Sequence, residues 1–188
     1  NSEIIKMMSG SIGKNKFPKL DLSFGPEVLS VKNLYSDNTL KDISFSLHKN
    51  EIIGITGLVG SGRTRLGHCI FGAVKPTSGT ILIKNKPVNF NSPSDAISHG
   101  IAFVPEDRAS DSIFEYLDVT HNVTISSLKR FTHFGKLYTT MIGGTAKGYV
   151  EKLNITPGFS HDILATYSGG NQQKVALAKW IMTRSKIF

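Results

Sequence analysis

The chain has 188 residues, 39% hydrophobic and 19% charged, with 22 Lys and Arg against 14 Asp and Glu for a formal charge of +8. This length supports one domain or a compact pair around a real core, and the composition is that of an ordinary soluble globular protein. No apolar run approaches the ~18–20 residues that cross a bilayer, and the single cysteine, Cys69, excludes an internal disulfide framework.

Cys69 suits a reducing compartment and reads as a small buried thiol in a helix. The first apolar residues are too few and too interrupted for a signal peptide. A basic protein suits nucleic acid, an anionic membrane surface or a polyphosphate ligand, but part of the excess is local. Lys6, Lys14, Lys16 and Lys19 face only Glu3 in a stretch rich in Gly, Ser and Asn. Residues 1–25 read as a solvated linker, so net charge alone singles out no partner.

Beyond the linker, Val28–Leu34 (VLSVKNL) and Ile43–Leu47 (ISFSL) alternate as strands with one covered face do. Glu51–Thr56 (EIIGIT) is a continuous apolar run, the pattern of a buried parallel strand. It leads into a glycine loop, and Thr64–Phe71 then reads as a helix. Thr80–Ile83 is a short strand, Ser94–Ser98 a helix with Pro93 at its start, and Ile101–Val104 (IAFV) a buried strand ending at Pro105.

The character changes after residue 118. Residues 119–165 read as a helical insert, with helices around Thr120–Leu128 and Ala146–Leu153; Gly143-Gly144 argues against a continuous helix there. In 166–188, Ser168 is placed to cap the helix of SGGNQQKVALAKWIM, on which Val175, Ala178, Ile181 and Met182 share a face. The expected fold is an α/β parallel-sheet core over 26–118, interrupted by that insert. No repeat or low-complexity tract is visible. Opening on Asn1 and ending on Lys186-Ile187-Phe188, where a strand begins, the chain reads as an excerpt from something longer.

Residues 57–64 read GLVGSGRT. They match the phosphate-binding pattern G-x-x-x-x-G-K-[ST] at Gly57, Gly62 and Thr64, with Arg63 in place of lysine. Such a match alone is weak, but a strand before it and a helix after it are the context the chemistry requires. Successive amides of Gly60, Ser61, Gly62 and Arg63 can point into one concavity and hold phosphate oxygens, and the helix N-terminus adds partial positive charge. Thr64 is placed to offer its hydroxyl to a Mg²⁺ bridging β- and γ-phosphates. Arginine is a planar fork where lysine is a compact point charge, so the exchange is expected to spare binding more than transition-state stabilisation.

The pair GLVGSGRT and YSGGNQQKVALAKW, with EIIGITGLVGSGRT and IAFVPEDR in the same order, resembles the ATP-binding cassette (ABC) proteins that energise bacterial sugar import. The resemblance is closest to the carboxyl-terminal cassette of the tandem ATPases for ribose, galactose and xylose, and IIKMMSG resembles their inter-cassette linker. It implies a P-loop NTPase fold with an N-terminal antiparallel β-subdomain and a helical subdomain. It also implies ATP and Mg²⁺ as ligands, with Gly57, Gly60, Ser61, Gly62, Arg63 and Thr64 holding phosphate and Thr64 touching the metal. Ser168, Gly169, Gly170, Asn171 and Gln172 form the signature motif, which in the family contacts ATP held by the opposite cassette. Tyr167 stands where the family usually has leucine. Glu106 lies at the Q-loop position, and Tyr35 where cassettes stack an aromatic ring on adenine. Read without the family, SGGNQQK is a capped helix start, Glu106-Asp107-Arg108 an exposed charged turn, and Tyr35 an aromatic that any half-buried strand could carry.

Further expectations follow from the resemblance. The family continues beyond Phe188 with the Walker B aspartate, the catalytic glutamate and the switch histidine, so no catalytic residue is expected on this chain and no hydrolysis by it alone. Its partners are the first cassette of the same polypeptide, transmembrane permease subunits and, indirectly, a sugar-binding protein, at the cytoplasmic face of the plasma membrane. Three other classes stay open. A phosphotransferase with a phosphate loop would act on a phosphoryl acceptor. A structural dimerisation module is opposed by intact Gly57, Gly60, Gly62 and Thr64. Nucleic-acid binding rests on the +8 charge alone and requires salt-dependent affinity.

Overall fold

The computed structural model describes residues 23–106, 111–158 and 161–188. The linker reading lies almost wholly outside this range, as do Asp107 and Arg108. Strands β1 (Glu27–Ser36), β2 (Leu40–His48), β3 (Ser78–Ile83) and β4 (Lys86–Val88) form one antiparallel sheet in the order β2-β1-β3-β4. Apolar pairs set the register: Leu29 opposite Leu47 and Ile83, and Val31 opposite Phe45 and Ile81. Such cross-strand pairs are the unit of sheet stability. The edge strand β4 has no counterpart in the sequence reading because it is three residues long and carries Pro87, which an edge tolerates.

The inner face of the sheet packs on α1 (Arg63–Ile70) and its successor Phe71, on α2 (Pro93–Ser98), and on Ile101 and Ala102. α2 starts as its sequence indicates, with Pro93 in the first turn and the Ser92 hydroxyl accepting from Asp95 N. A cavity of about 980 Å³ opens beside this core, lined by Phe45, Leu47, Ile53, Ile70, Phe103 and Ile187 among others.

Two strand expectations are corrected. Glu51–Thr56 joins no ladder, and Ile52 is 96% exposed and Ile55 50%. An apolar run signals a strand suited to burial on both faces, but burial needs neighbours on each side. Among the described residues the only parallel pairing is the bridge of Ile101 with Ile187, reinforced by Ala102 N–H donating to Ile187 O at 2.8 Å. Ile101–Val104 is thereby reduced to a bridge, with Val104 exposed.

The second core is helical. α3 (Val119–Thr124) runs into a 3-10 turn at Ile125–Phe131, then the two-residue strands β5 (Thr132–His133) and β6 (Lys136–Leu137), α4 (Thr139–Lys152), a 3-10 turn at Leu164–Thr166 and α5 (Gly169–Met182). Val119, Val123, Leu164, Val175, Ala178 and Met182 meet at its centre, while Ile181, expected on that face, is half-buried. Buried Asn122 holds the preceding loop, accepting from Phe114 N–H and donating to the carbonyls of Phe114, Leu117 and Asp118.

The expectation that Gly143-Gly144 breaks the helix is also corrected, since α4 runs through both. Ile142, Ala146 and Val150 recur every four residues on its buried face. Burying that stripe outweighs the ~1 kcal/mol that each glycine costs a helix relative to alanine. α5 serves both cores: Val175, Ala176, Ala178 and Met182 enter the helical one, and Trp180 enters the sheet core edge-on to Phe71 at 5.4 Å.

Candidate functional site

The glycine loop crosses from the uncovered Glu51–Thr56 segment to the head of α1. At its start, Glu51 accepts from His48 N–H at 2.7 Å and contacts the His48 ring nitrogen at 3.0 Å, and these bonds hold its carboxyl below the usual value. Ser61 N–H donates to Leu58 O at 3.1 Å and closes the first turn of the loop. The Ser61 hydroxyl lies directly over Gly57, where a Cβ would collide with it. Gly60 and Gly62 have φ of +82° and +89°, the left-handed region that glycine adopts without strain. A Cβ on Gly62 would also sit 2.9 Å from Leu40 Cδ2 and 3.4 Å from Thr39 O, so the loop lies flat against the β1–β2 turn.

α1 begins at Arg63 with no side-chain cap and no acidic residue in its first turn. Its leading amides and partial positive charge are thus left for an anion. Arg63 and Thr64 are exposed at this end, and Arg63 has no ion-pair partner among the described residues. Tyr35, at the end of β1, is 39% exposed. The same turn reaches α1 through a residue that the sequence reading passed over. Arg65 donates from Nε to the buried Ser36 hydroxyl at 3.0 Å and from its terminal nitrogen to the Asp37 carboxylate.

Glu106 is exposed at the end of a described segment. Its approach is anchored by Phe103, which stacks on Phe71 at 5.4 Å and meets the His68 ring edge-on at 5.1 Å. Downstream, the Lys179 ammonium of α5 donates to Ser112 O and lies 5.0 Å from the Trp180 ring centroid. Lys179 is 5% exposed, and burial pushes it down to about 8 from its ordinary 10.5.

Ser168 occupies the N-cap of α5, but the expected cap is corrected. Its hydroxyl accepts from Asn171 Nδ2 at 2.9 Å rather than from a backbone amide. Asn171 and Gln172 turn into the protein, the first accepting from Thr156 N–H and the second donating to Leu164 O. Ser168 and Gly170 are exposed and Gly169 half-buried, leaving the start of α5 open to solvent. Tyr167 is buried, so the tyrosine fills an apolar position, and its hydroxyl donates to Gly158 O at 3.2 Å. The structure thus brings Tyr35, Gly62 and the head of α1 together around one turn, while the Ser168–Gln172 segment heads a separate helix. No group of three or more His, Cys, Asp or Glu that could hold a metal exists among the described residues.

The family profile described as ABC transporter matches residues 40–188. The chain belongs to the ABC transporter family. Over its full length it is 40% identical to a ribose import ATP-binding protein of Clostridium perfringens (strain 13 / Type A), of which it covers 38%. Over 98% of its length it is 38% identical to a ribose import ATP-binding protein of Rhizobium johnstonii, of which it covers 36%. This ABC transporter chain therefore spans little more than a third of those relatives. Among solved structures, an ATP-binding cassette of an ABC transporter in its ADP conformation superposes with a TM-score of 0.69 at 21% identity, over 85% of this chain and 66% of that one. Part of an ABC transporter complex from Clostridium perfringens superposes with a TM-score of 0.66 at 23% identity, over 86% of this chain and 63% of that one. The fold is that of an ABC ATPase cassette, an α/β protein of the P-loop NTPase kind, as the motifs indicated.

Four residues outside the candidate site set make supporting contacts in this ABC transporter chain: Arg65, Phe103, Asn122 and Lys179. Their one-dimensional signals are faint. A buried lysine inside an apolar helix stripe was the most legible, since Lys179 sits between Ala178 and Trp180. Arg65 carried none, because its partners lie 28 and 29 residues away.

Proposed function

We propose that this chain is the second nucleotide-binding cassette of a bacterial ABC importer for a monosaccharide of the ribose, galactose or xylose type. Its residues 1–25 are the inter-cassette linker, 26–118 the ATP-binding core, 119–165 the helical subdomain, and 166–188 the signature helix with the start of the Walker B strand. The observation that carries the reading is the loop of two left-handed glycines delivering the uncapped head of α1. Phosphate is the ligand such amides fit. The import function of the relatives supports the sugar assignment.

In this reading Gly57–Thr64 hold the polyphosphate of MgATP, Tyr35 stacks on the base, and Glu106 senses the nucleotide. Arg63 makes the chain's own site a weak or structural nucleotide holder. Ser168–Gln172 complete the site of the first cassette, where hydrolysis drives uptake. The whole assembly is an ATP-hydrolysing translocase on the cytoplasmic membrane face with permease and sugar-binding partners, and this chain alone is inactive.

Calorimetric titration of the 188-residue chain with MgATP up to millimolar concentration tests the phosphate loop: saturable binding supports it, and silence from a folded chain removes it. Division of labour is tested by transport in the full-length protein. Ser168→Trp is expected to abolish uptake and Arg63→Ala to reduce it less, and equal losses would count against the asymmetry.

A further inference from the structure

The β1–β2 turn and the glycine loop touch at two independent places. Gly62 packs against Thr39 and Leu40 so closely that no side chain fits between them. Arg65, two residues into α1, spreads its guanidinium over the same turn, with Nε on the Ser36 hydroxyl at 3.0 Å and a terminal nitrogen on the Asp37 carboxylate. Ser36 is fully buried and Asp37 sits in the left-handed region at φ +49°. The Asp37 amide donates to Thr77 Oγ1 at 3.3 Å, so this end of the turn is held from a second side. Tyr35 immediately precedes this anchored pair, with its ring partly open to solvent.

We propose that Arg65 is a positioning residue that clasps the turn carrying Tyr35 to the head of α1, setting the separation between a base-stacking ring and the phosphate-holding amides. The proposal rests on the nucleotide reading above and adds a device to it. A nucleoside triphosphate has two handles, a planar base and a polyphosphate, joined by a ribose of limited reach. Binding at both is additive only when the protein holds the two platforms at the right spacing before the ligand arrives. Arg65 is suited to that task and not to phosphate contact, because its charge is already paired with Asp37 and its fork engages two adjacent residues at once. A lysine could reach either Ser36 or Asp37 but not both with fixed geometry.

The clasp predicts an effect on one handle only. Titrations of the full 188-residue chain use MgATP and, as a ligand lacking base and ribose, magnesium tripolyphosphate. Arg65→Ala is expected to weaken MgATP about three- to tenfold, the range for an exposed ion pair plus one hydrogen bond, and to leave tripolyphosphate unchanged. Arg65→Lys should recover part of the loss. Tyr35→Ala should weaken MgATP in the otherwise unchanged chain but cost little more once Arg65 is alanine, since a ring no longer held in place has little to lose. Should Arg65→Ala unfold the chain, the near-isosteric Asp37→Asn carries the same comparison. Equal weakening of both ligands would make Arg65 a phosphate contact or a general structural support, and would overturn the clasp. So would undiminished MgATP binding, or full additivity with Tyr35→Ala. Failure of the unsubstituted chain to bind either ligand overturns the nucleotide reading and the clasp with it, an outcome distinct from all of these.

Discussion

The sheet region and the helical region each present one candidate contact, the glycine loop and the start of α5, and they differ in how those contacts are supported. The helical core closes on itself: Val119, Val123, Leu164, Val175 and Met182 are almost wholly buried, and the loop ahead of α3 is pinned by all the bonds that Asn122 makes. The sheet core is closed on one side only. Its inner face packs against α1, but the segment feeding the glycine loop has no strand beside it, and Leu58 and Val59 in the loop are 86% and 97% exposed. Support for that loop comes from below, through Gly62 on the β1–β2 turn and Arg65 on Ser36 and Asp37. The glycine loop is thus held chiefly by the turn beneath it and by the helix that follows. α5 joins the two regions, and substitutions along it and beside it sharpen the contrast.

The largest effect is expected at Trp180, the one α5 side chain in the sheet core. Trp180→Ala removes its edge contact with Phe71 and leaves a cavity where the two regions meet, at a cost of about 3–5 kcal/mol in urea unfolding. A loss below ~1 kcal/mol would show that the two cores are held together elsewhere.

Lys179, its neighbour, is the next test. Burial lowers its folded pKa to about 8 against an ordinary 10.5, so the unfolded chain binds more protons between those values and stability rises with pH across that window. The gap corresponds to about 3 kcal/mol between pH 8 and pH 10.5. Urea midpoints at pH 7.5 and pH 10 should therefore diverge more in the natural chain than in Lys179→Met. The same divergence in both would assign the rise to other groups.

Smaller effects probe each region alone. Gly144→Ala in α4 meets nothing within 4 Å and should raise stability by about 0.5–1 kcal/mol, visible as a higher thermal midpoint. In the sheet region Ile52→Ser should change stability by less than about 0.5 kcal/mol, because the side chain is already in water. A loss of several kcal/mol there would mean that the segment is covered in solution.

Local chemistry wrote much of this protein plainly in its residues. Alternation marked β1 and β2, Pro93 marked the start of α2, the glycines at 57, 60 and 62 marked a tight loop leading into a helix, and SGGNQQK marked a helix start. These features depend on backbone preference and short-range periodicity, which a single chain displays in order. The exposure of Glu51–Thr56 was not legible, because an apolar run reports what a strand suits and not whether neighbours are present to cover it. Nor was the continuity of α4, since the buried stripe of Ile142, Ala146 and Val150 had to find its core before two glycines could be tolerated. Only the tertiary structure decided that Ser168 would bind Asn171 instead of capping α5, that Lys179 would be buried under Ser112 O, and that Arg65 would reach back across 28 residues to Asp37. Each of those is a contact between groups distant in sequence or in competition for one partner, and such contacts are set by where packing places the elements.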